Sequence, residues 1–513
     1  MTDWTDGYIT EIDYVQGYYH ELNPLRTRLL FFNLGLAPPE TASICELGFG
    51  QGLSANIHAA AQANGQLWAT DFNPSQVSFA QSLAAASGAN AQLFDQSFND
   101  FCRRDDLPDF DYIGLHGIWS WISNESRAVI VDFIRRKLKV GGVLYLSYNA
   151  LPGWAAFAPI RHLMTEYSEV MSAKGLGVTQ RVDAALAFTE QLLATNPLYA
   201  RANPQVNERH KKLKEQNRHY LAHEYFNRNW ESMHFATLAN WLTPAKLNYA
   251  CSAHYLDHIG AMNLTPEQQT FLQTISDPLF RETAQDFMVN QQFRRDYWIK
   301  GVRRINPIEQ MEGLRNLRVI LMIHRPDVSL KAVGALGECT MNAGVYHPVL
   351  DVLTDHRPKT LGQIELAVKE TGVNFAQVVQ AILVLVGTGQ LATVQDDALI
   401  ARAKPHTDKL NTHLITLARG RSDINYLASP VTGGGISVGR FQQLFLLARI
   451  QGRQQPADWV QFAWQILAAQ NAKILKDGKP LETAEENCQQ LLIEATTFAE
   501  KQLPILSALQ IAS

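Results

Sequence analysis

The sequence predicts an α/β protein, a doubly wound parallel sheet in its first third followed by mostly helical segments. Three observations carry this. Short apolar runs at Ile44–Leu47, Gln66–Thr70, Ala91–Phe94, Phe110–Leu115 and Val143–Ser147 alternate with helix-forming stretches. Glu46 is followed by Gly48, Gly50 and Gly52, directly before the Ala-rich stretch Leu53–Ala63. The second run ends in Asp71, nineteen positions beyond Gly52. Strands alternating with helices form a parallel sheet whose ligand lies at the carboxyl ends of the strands.

In chain order, Tyr14, Tyr18 and Tyr19 precede a proline-started helix, Pro24–Leu34. This early aromatic cluster is either a lid over a site or a strap packed onto the core. Ile44 to Gly52 then reads as strand, tight turn and helix start. Alternate glycines allow positive φ and close approach of a ligand, and the helix start offers free N–H groups. Asp71, with Phe72 beside it, stands at the tip of strand two, where an acid can bind ribose hydroxyls. Strand three runs into Asp95-Gln96-Ser97-Phe98, and strand four into His116-Gly117-Ile118-Trp119-Ser120-Trp121. A helix over Ser126–Leu138 leads through a turn, Lys139-Val140-Gly141-Gly142, to strand five.

Composition sets the bounds. At 513 residues, roughly three domains are expected. A hydrophobic content of 46% and a charged content of 18% are those of a soluble globular protein. The net charge of -4 argues against a general nucleic-acid or anionic-membrane surface. Met1 to Asp6 lacks the basic start and apolar core of a signal peptide. The longest apolar run, near Val378–Val386, is too short to span a bilayer, so no membrane insertion is expected. Five cysteines without a CxxC pair point to reduced thiols in a cytoplasmic protein, with no zinc or other metal site.

Two cofactor readings compete for the glycine turn. A dinucleotide fingerprint needs G-x-G-x-x-G, but Leu53 follows Gly52 and the third glycine is out of register. The pattern acid-x-G-x-G-x-G, with a second acid after strand three, resembles the class I S-adenosylmethionine-dependent methyltransferases, as does the Leu138–Gly142 turn. That resemblance implies a Rossmann-like domain binding S-adenosylmethionine and releasing S-adenosylhomocysteine. Glu46, Gly48, Gly50 and Gly52 match the motif against the methionine part, and Asp71 with Phe72 match the ribose site. Asp95, Gln96, Ser97 and Phe98 match the adenine side, and His116 and Gly117 the segment between cofactor and acceptor.

The words His116 to Ile122 and Tyr148-Asn149-Ala150-Leu151-Pro152-Gly153-Trp154, with the opening tyrosines and Glu21-Leu22-Asn23-Pro24, resemble the rickettsial protein-lysine methyltransferases. Asp286 to Arg295 looks like the end of the methyltransferase regulatory domain of that family, which would begin near His219. The resemblance implies a protein substrate offering a lysine, and a homodimer. Trp119, Trp121, Tyr148 and Trp154 at strand ends would wall a lysine channel. Asn149 would hold the amine or the cofactor, and Tyr18 of the opening cluster is counted with them. Keeping a lysine neutral at pH 7 costs about 4.6 kcal/mol in water. Burial and the sulfonium cation would supply most of it.

The expected domains are 1–155 (catalytic), 156–218 (helical, a candidate dimer contact), 219–305 (regulatory) and 306–513 (helical). The stretch Arg209–Lys214 reads as a solvated basic helix face. Segment 345–398 reads as a winged helix, but with three basic against six acidic residues it is not expected to bind DNA. Thr432–Arg440 lacks the G-K-[ST] ending of a phosphate loop and reads as a flexible turn. Methylation of a small molecule or an RNA base is the alternative function, and a non-catalytic scaffold the third.

Overall fold

Seven strands of mostly apolar, β-branched and aromatic residues build the central sheet of the computed structural model, which describes residue 5 and residues 7–63, 65–173 and 175–512. They are β1 (Ser43–Leu47), β2 (Gln66–Asp71), β3 (Ala91–Asp95), β4 (Phe110–Leu115), β5 (Leu138–Asn149), β6 (Leu247–Ser252) and β7 (Phe293–Lys300). The order is β3-β2-β1-β4-β5-β7-β6. Strands β1 to β5 pair in parallel, and β7 is antiparallel to both β5 and β6. Apart from Thr5, the quoted N-terminal residues Met1–Asp6 lie outside the described residues.

Two features depart from the sequence expectation. The glycine turn before strand five is instead part of β5, which begins at Leu138. Its register against β4 jumps from Phe110↔Leu138 to Tyr112↔Val143, so Lys139–Gly142 forms a bulge, with Gly141 at φ +84°. Secondly, the helix and strand of residues 235–255, which the sequence assigns either to the sheet or to the regulatory module, bring β6 into the sheet. Its last two strands come from residues 247–300, inside the stretch expected to be a separate regulatory domain.

β7 carries Arg294, Arg295 and Asp296 within the sheet. The charges are neutralised locally: Arg294 reaches Asp286 at 2.6 Å, Glu282 at 2.9 Å and Asp296 at 3.0 Å. Arg295 pairs with Glu21 at 2.7 Å. Buried charges persist when paired in this way.

Five helices between Ala158 and Tyr225 pack as a separate layer around Trp154, Phe157, Met164, Leu186 and Leu221. The expected solvated basic face holds for Lys211, Lys212 and Lys214, which are exposed. It fails for Arg209, whose guanidinium lies 3.8 Å from the Trp154 ring centroid.

Beyond residue 316, strand Arg318–Leu321 is flanked by Lys359–Thr360 and Leu391–Val394, with helices Ala343–Val352, Leu361–Ala367 and Phe375–Gly387 around them. The central strand of this small sheet lies outside the segment 345–398. Helix Asp397–Leu417 then lies against Leu53–Ala61 and Pro74–Ser87. Leu53, Ile57, Ala60 and Leu83 of the first domain are thereby buried in one core with Leu410, Leu414 and Leu427. This explains why Leu53–Ala61 is buried almost all round.

The segment Thr432–Arg440 is not a free turn. Gly434–Ser437 pairs with Tyr426–Ser429, and the Gly433 carbonyl accepts hydrogen bonds from Asn23 Nδ2 at 3.2 Å and Gln62 Nε2 at 2.9 Å. Among the described residues no helix is long and apolar enough to cross a membrane.

Candidate active site

A cavity of about 720 Å³ opens at the carboxyl ends of β1, β2, β4 and β5, within the range of small-molecule sites. Its floor is the glycine turn. Gly48, Gly50 and Gly52 adopt φ of +76°, +58° and +72°. A Cβ on Gly48 would come within 2.3 Å of Ile118 Cδ1, and one on Gly52 within 2.4 Å of Ala80 Cβ. The turn is clamped: Gly48 N–H donates to the Thr70 carbonyl at 2.8 Å, and Gly50 N–H to Asp71 Oδ2 at 2.9 Å. Asp71 Oδ1 accepts from Asn73 N–H at 3.0 Å.

Glu46 and Asp71 both line the cavity and both are buried. Burial raises Glu46 to about 8, with the Asp71 charge adding to it. Burial also raises Asp71 to about 6 against the hydrogen bonds that favour its ionised form. No cationic side chain among the described residues offsets the Glu46 charge. A positively charged ligand group would.

Beside β3, Gln96, Ser97 and Phe98 line the cavity, whereas Asp95 is exposed and does not. The Gln96 carbonyl accepts from Thr70 Oγ1 at 2.6 Å, and Ser97 Oγ caps helix Phe98–Phe101. At the end of β4, His116 stacks on Tyr19 with ring centroids 4.1 Å apart, and its Nδ1 lies 2.8 Å from the Tyr145 hydroxyl. Burial lowers its pKa to about 4, so it is neutral at pH 7. Gly117 N–H donates to Ser147 Oγ at 2.8 Å.

The acceptor residues divide. Trp121, Asn149 and Trp154 line the cavity, and Asn149 Nδ2 is buried without a hydrogen-bond partner. Trp119, Tyr148 and Tyr18 do not line it. Side chains alternate along β5, so Tyr145, Ser147 and Asn149 take one face while Tyr148 packs with Leu144, Leu146 and Trp298 on the other. Trp119 is fully buried, with Nε1 donating to Met233 Sδ at 3.3 Å. Tyr18 turns toward the C-terminal region, packing on Tyr426 and Gly435, with its hydroxyl 3.0 Å from His58 Nε2.

The opposite wall joins the opening tyrosine cluster, which the sequence offers as a lid or a strap, to a helix that sequence reasoning did not connect with the site. Residues 7–19 run across the cavity as a strap: Ile9 N–H donates to Asn227 Oδ1 at 2.9 Å, and the His223 ring lies 3.1 Å from the Ile12 carbonyl. Tyr8, Tyr14 and Tyr19 face inward from it, while Tyr220, His223, Glu224 and Tyr225 face them from helix Arg218–Tyr225. Arg209, Gln292 and Phe293 complete the lining. The one available signal was the tyrosine cluster itself.

A clamped glycine turn, an acid at the end of β2 and a sheet ending β5-β7-β6 with β7 antiparallel define a class I S-adenosylmethionine-dependent methyltransferase. Residues 44–142 match the family model described as a methyltransferase domain, and residues 217–300 that of a predicted methyltransferase regulatory domain. The chain belongs to the family of the uncharacterized protein sll1526 of Synechocystis, to which it is 40% identical over 513 residues, covering 99% of this chain and 100% of that one. It is 25% identical to protein RP789 of Rickettsia prowazekii over 63% of this chain and 58% of that one. The solved structure of PKMT2 from Rickettsia typhi in complex with AdoHcy has a TM-score of 0.69 at 20% identity, covering 97% of this chain and 100% of that one.

The residues present fit S-adenosylmethionine. Glu46, buried without a counter-charge, would suit its α-ammonium, the glycines leave room at the turn, and Asp71 to Asn73 and Gln96 to Phe98, which line the same cavity, would hold the nucleoside. When bound, this cosubstrate supplies a methyl group carried on a sulfonium.

Proposed function

We propose that the chain methylates lysine side chains of a protein. The observation that carries this reading is the aromatic share of the cavity lining, Trp121, Trp154, Tyr220, Tyr225 and Phe293. Flat apolar walls suit the four-carbon stem of a lysine, and aromatic faces attract a cationic head by about 0.5 to 2 kcal/mol. The name of the Rickettsia typhi neighbour and the resemblance in the Trp and Tyr words point the same way.

The test is incubation of the full chain with methyl-labelled S-adenosylmethionine and a cell lysate, followed by separation of protein, RNA and metabolite fractions. Label recovered as methyl-lysine after protein hydrolysis is expected. Label confined to RNA or small molecules would overturn the reading.

A further inference from the structure

Glu224 lines the same cavity without a cation. Tyr14 Oη donates to its Oε1 at 3.2 Å, and no Lys, Arg or His among the described residues is within ion-pair distance. The groups facing it are phenols from two sides: Tyr8, Tyr14 and Tyr19 from the strap, and Tyr220 and Tyr225 from its own helix, each of which feels its charge. All five are held neutral, their pKa raised chiefly by burial. His223 beside it is lowered to about 4 by burial and is also neutral. His116 is stacked behind Tyr19, Asp71 acts on Tyr8 from the cosubstrate side, and the Arg209 guanidinium is taken up by the Trp154 and Phe157 rings. A carboxylate kept half-buried among neutral phenols lacks a positive partner, and partnerless buried charge is costly.

We propose that Glu224, oriented by Tyr14, grips the ammonium of the acceptor and accepts its proton. The inference rests on the amine-acceptor reading above. One N–H bond of the ammonium breaks, the proton passes to a Glu224 carboxylate oxygen, and the electron pair stays on nitrogen as the nucleophilic lone pair. The proton then leaves to solvent. An ordinary carboxyl lies roughly six pH units below lysine. Burial raises Glu224 to about 7, which nearly halves that gap, and a general base works best with a pKa near the operating pH.

Three measurements on the full chain saturated with S-adenosylhomocysteine or S-adenosylmethionine decide it. In a ¹³C NMR titration of the S-adenosylhomocysteine complex, Glu224 is expected to titrate near 7; a value in the ordinary range near 4 overturns the proposal. n-Butylamine, used as the probe cation, is expected to bind the same complex and to lose about tenfold in affinity in Glu224→Gln; equal affinity overturns it. In single-turnover transfer to poly-L-lysine or lysate protein, Glu224→Gln is expected to lose on the order of 10²-fold with S-adenosylhomocysteine affinity unchanged. The rise in rate through pH 7 should vanish with it, and Tyr14→Phe should shift that inflection.

A variant that transfers methyl to lysine as fast as the parent, with the same pH profile, overturns the role of Glu224 and leaves the lysine reading standing. Label on a small amine overturns the protein reading alone, the same comparison then being made on that amine. Label only on non-amine acceptors overturns both.

Discussion

The carboxylate of Asp71 accepts the Gly50 N–H at 2.9 Å, tying the tip of β2 to the turn that follows β1. The acid therefore shapes the turn as well as lining the cavity. Asp71→Ala is expected to weaken S-adenosylhomocysteine binding by more than tenfold. It should also lower stability by about 1 to 3 kcal/mol, since the Gly50 and Asn73 N–H groups lose their acceptor. Calorimetry and a denaturant titration check the two effects. Asp71→Asn keeps an acceptor oxygen and should recover part of the stability.

Gly48→Ala should be worse than an ordinary loop substitution. It pays for a left-handed backbone, about 1 to 2 kcal/mol, and its Cβ would overlap Ile118. Loss of cosubstrate binding with a lowered Tm is the expected outcome, read by calorimetry and differential scanning calorimetry.

Proton linkage gives a sharper test of Glu46. Its folded-state pKa of about 8 lies above the unfolded value, so the protonated form is favoured on folding. The associated stability is fully present below about pH 4.3 and is lost as pH rises through 8. A ligand ammonium needs the ionised form, so the sign reverses for binding. Affinity for S-adenosylhomocysteine should rise with pH toward 8 by up to about tenfold per unit, with proton release on binding below pH 8. Titrations in buffers of different ionisation enthalpy measure that release, and Glu46→Gln should abolish it.

Trp119→Ala should act through the core. Trp119 is fully buried, and truncating such a residue costs about 3 to 5 kcal/mol. Equilibrium unfolding measures this, and S-adenosylhomocysteine affinity in the folded fraction should be unchanged.

Much of this site is legible in the sequence because its signals are local. Three glycines in register, an acid nineteen positions on, and apolar runs between helices place β1 to β5 and the cosubstrate. What stays hidden depends on parity or on distant chain. Nothing in Tyr148-Asn149 tells which of the two faces the cavity; only the pairing of β5 between β4 and β7 does. Asp95 shows the same limit one strand over, where its neighbours Gln96 to Phe98 turn inward instead. Glu224 comes from a helix 75 residues past the end of β5, and nothing local marks it. Tyr18 is an aromatic of the right cluster used for another purpose, because Gly434 and Gly435 leave a flat surface for it.

The shared core of Leu53, Ile57, Ala60 and Leu83 with the C-terminal helices predicts that the first domain does not stand alone. A chain ended after residue 316 should associate or precipitate, because four apolar side chains lose their cover. Size-exclusion chromatography and near-ultraviolet circular dichroism check this. A monomeric fragment with a cooperative melt would contradict it.

The late arrival of β7 bears on synthesis. β5 ends at Asn149 and its antiparallel partner ends at Lys300, an interval of roughly 8 to 30 s at ribosomal rates of about 5 to 20 residues per second. Until then the seven residues of β5 that pair with β7 lack that partner, and an unpaired edge is a template for pairing with another chain. That edge is Val143–Asn149, in unbroken register with β7; the bulge at Lys139–Gly142 lies before it, in the pairing with β4. The edge is sealed only when the ribosome delivers β7, whose register covers all seven of these residues.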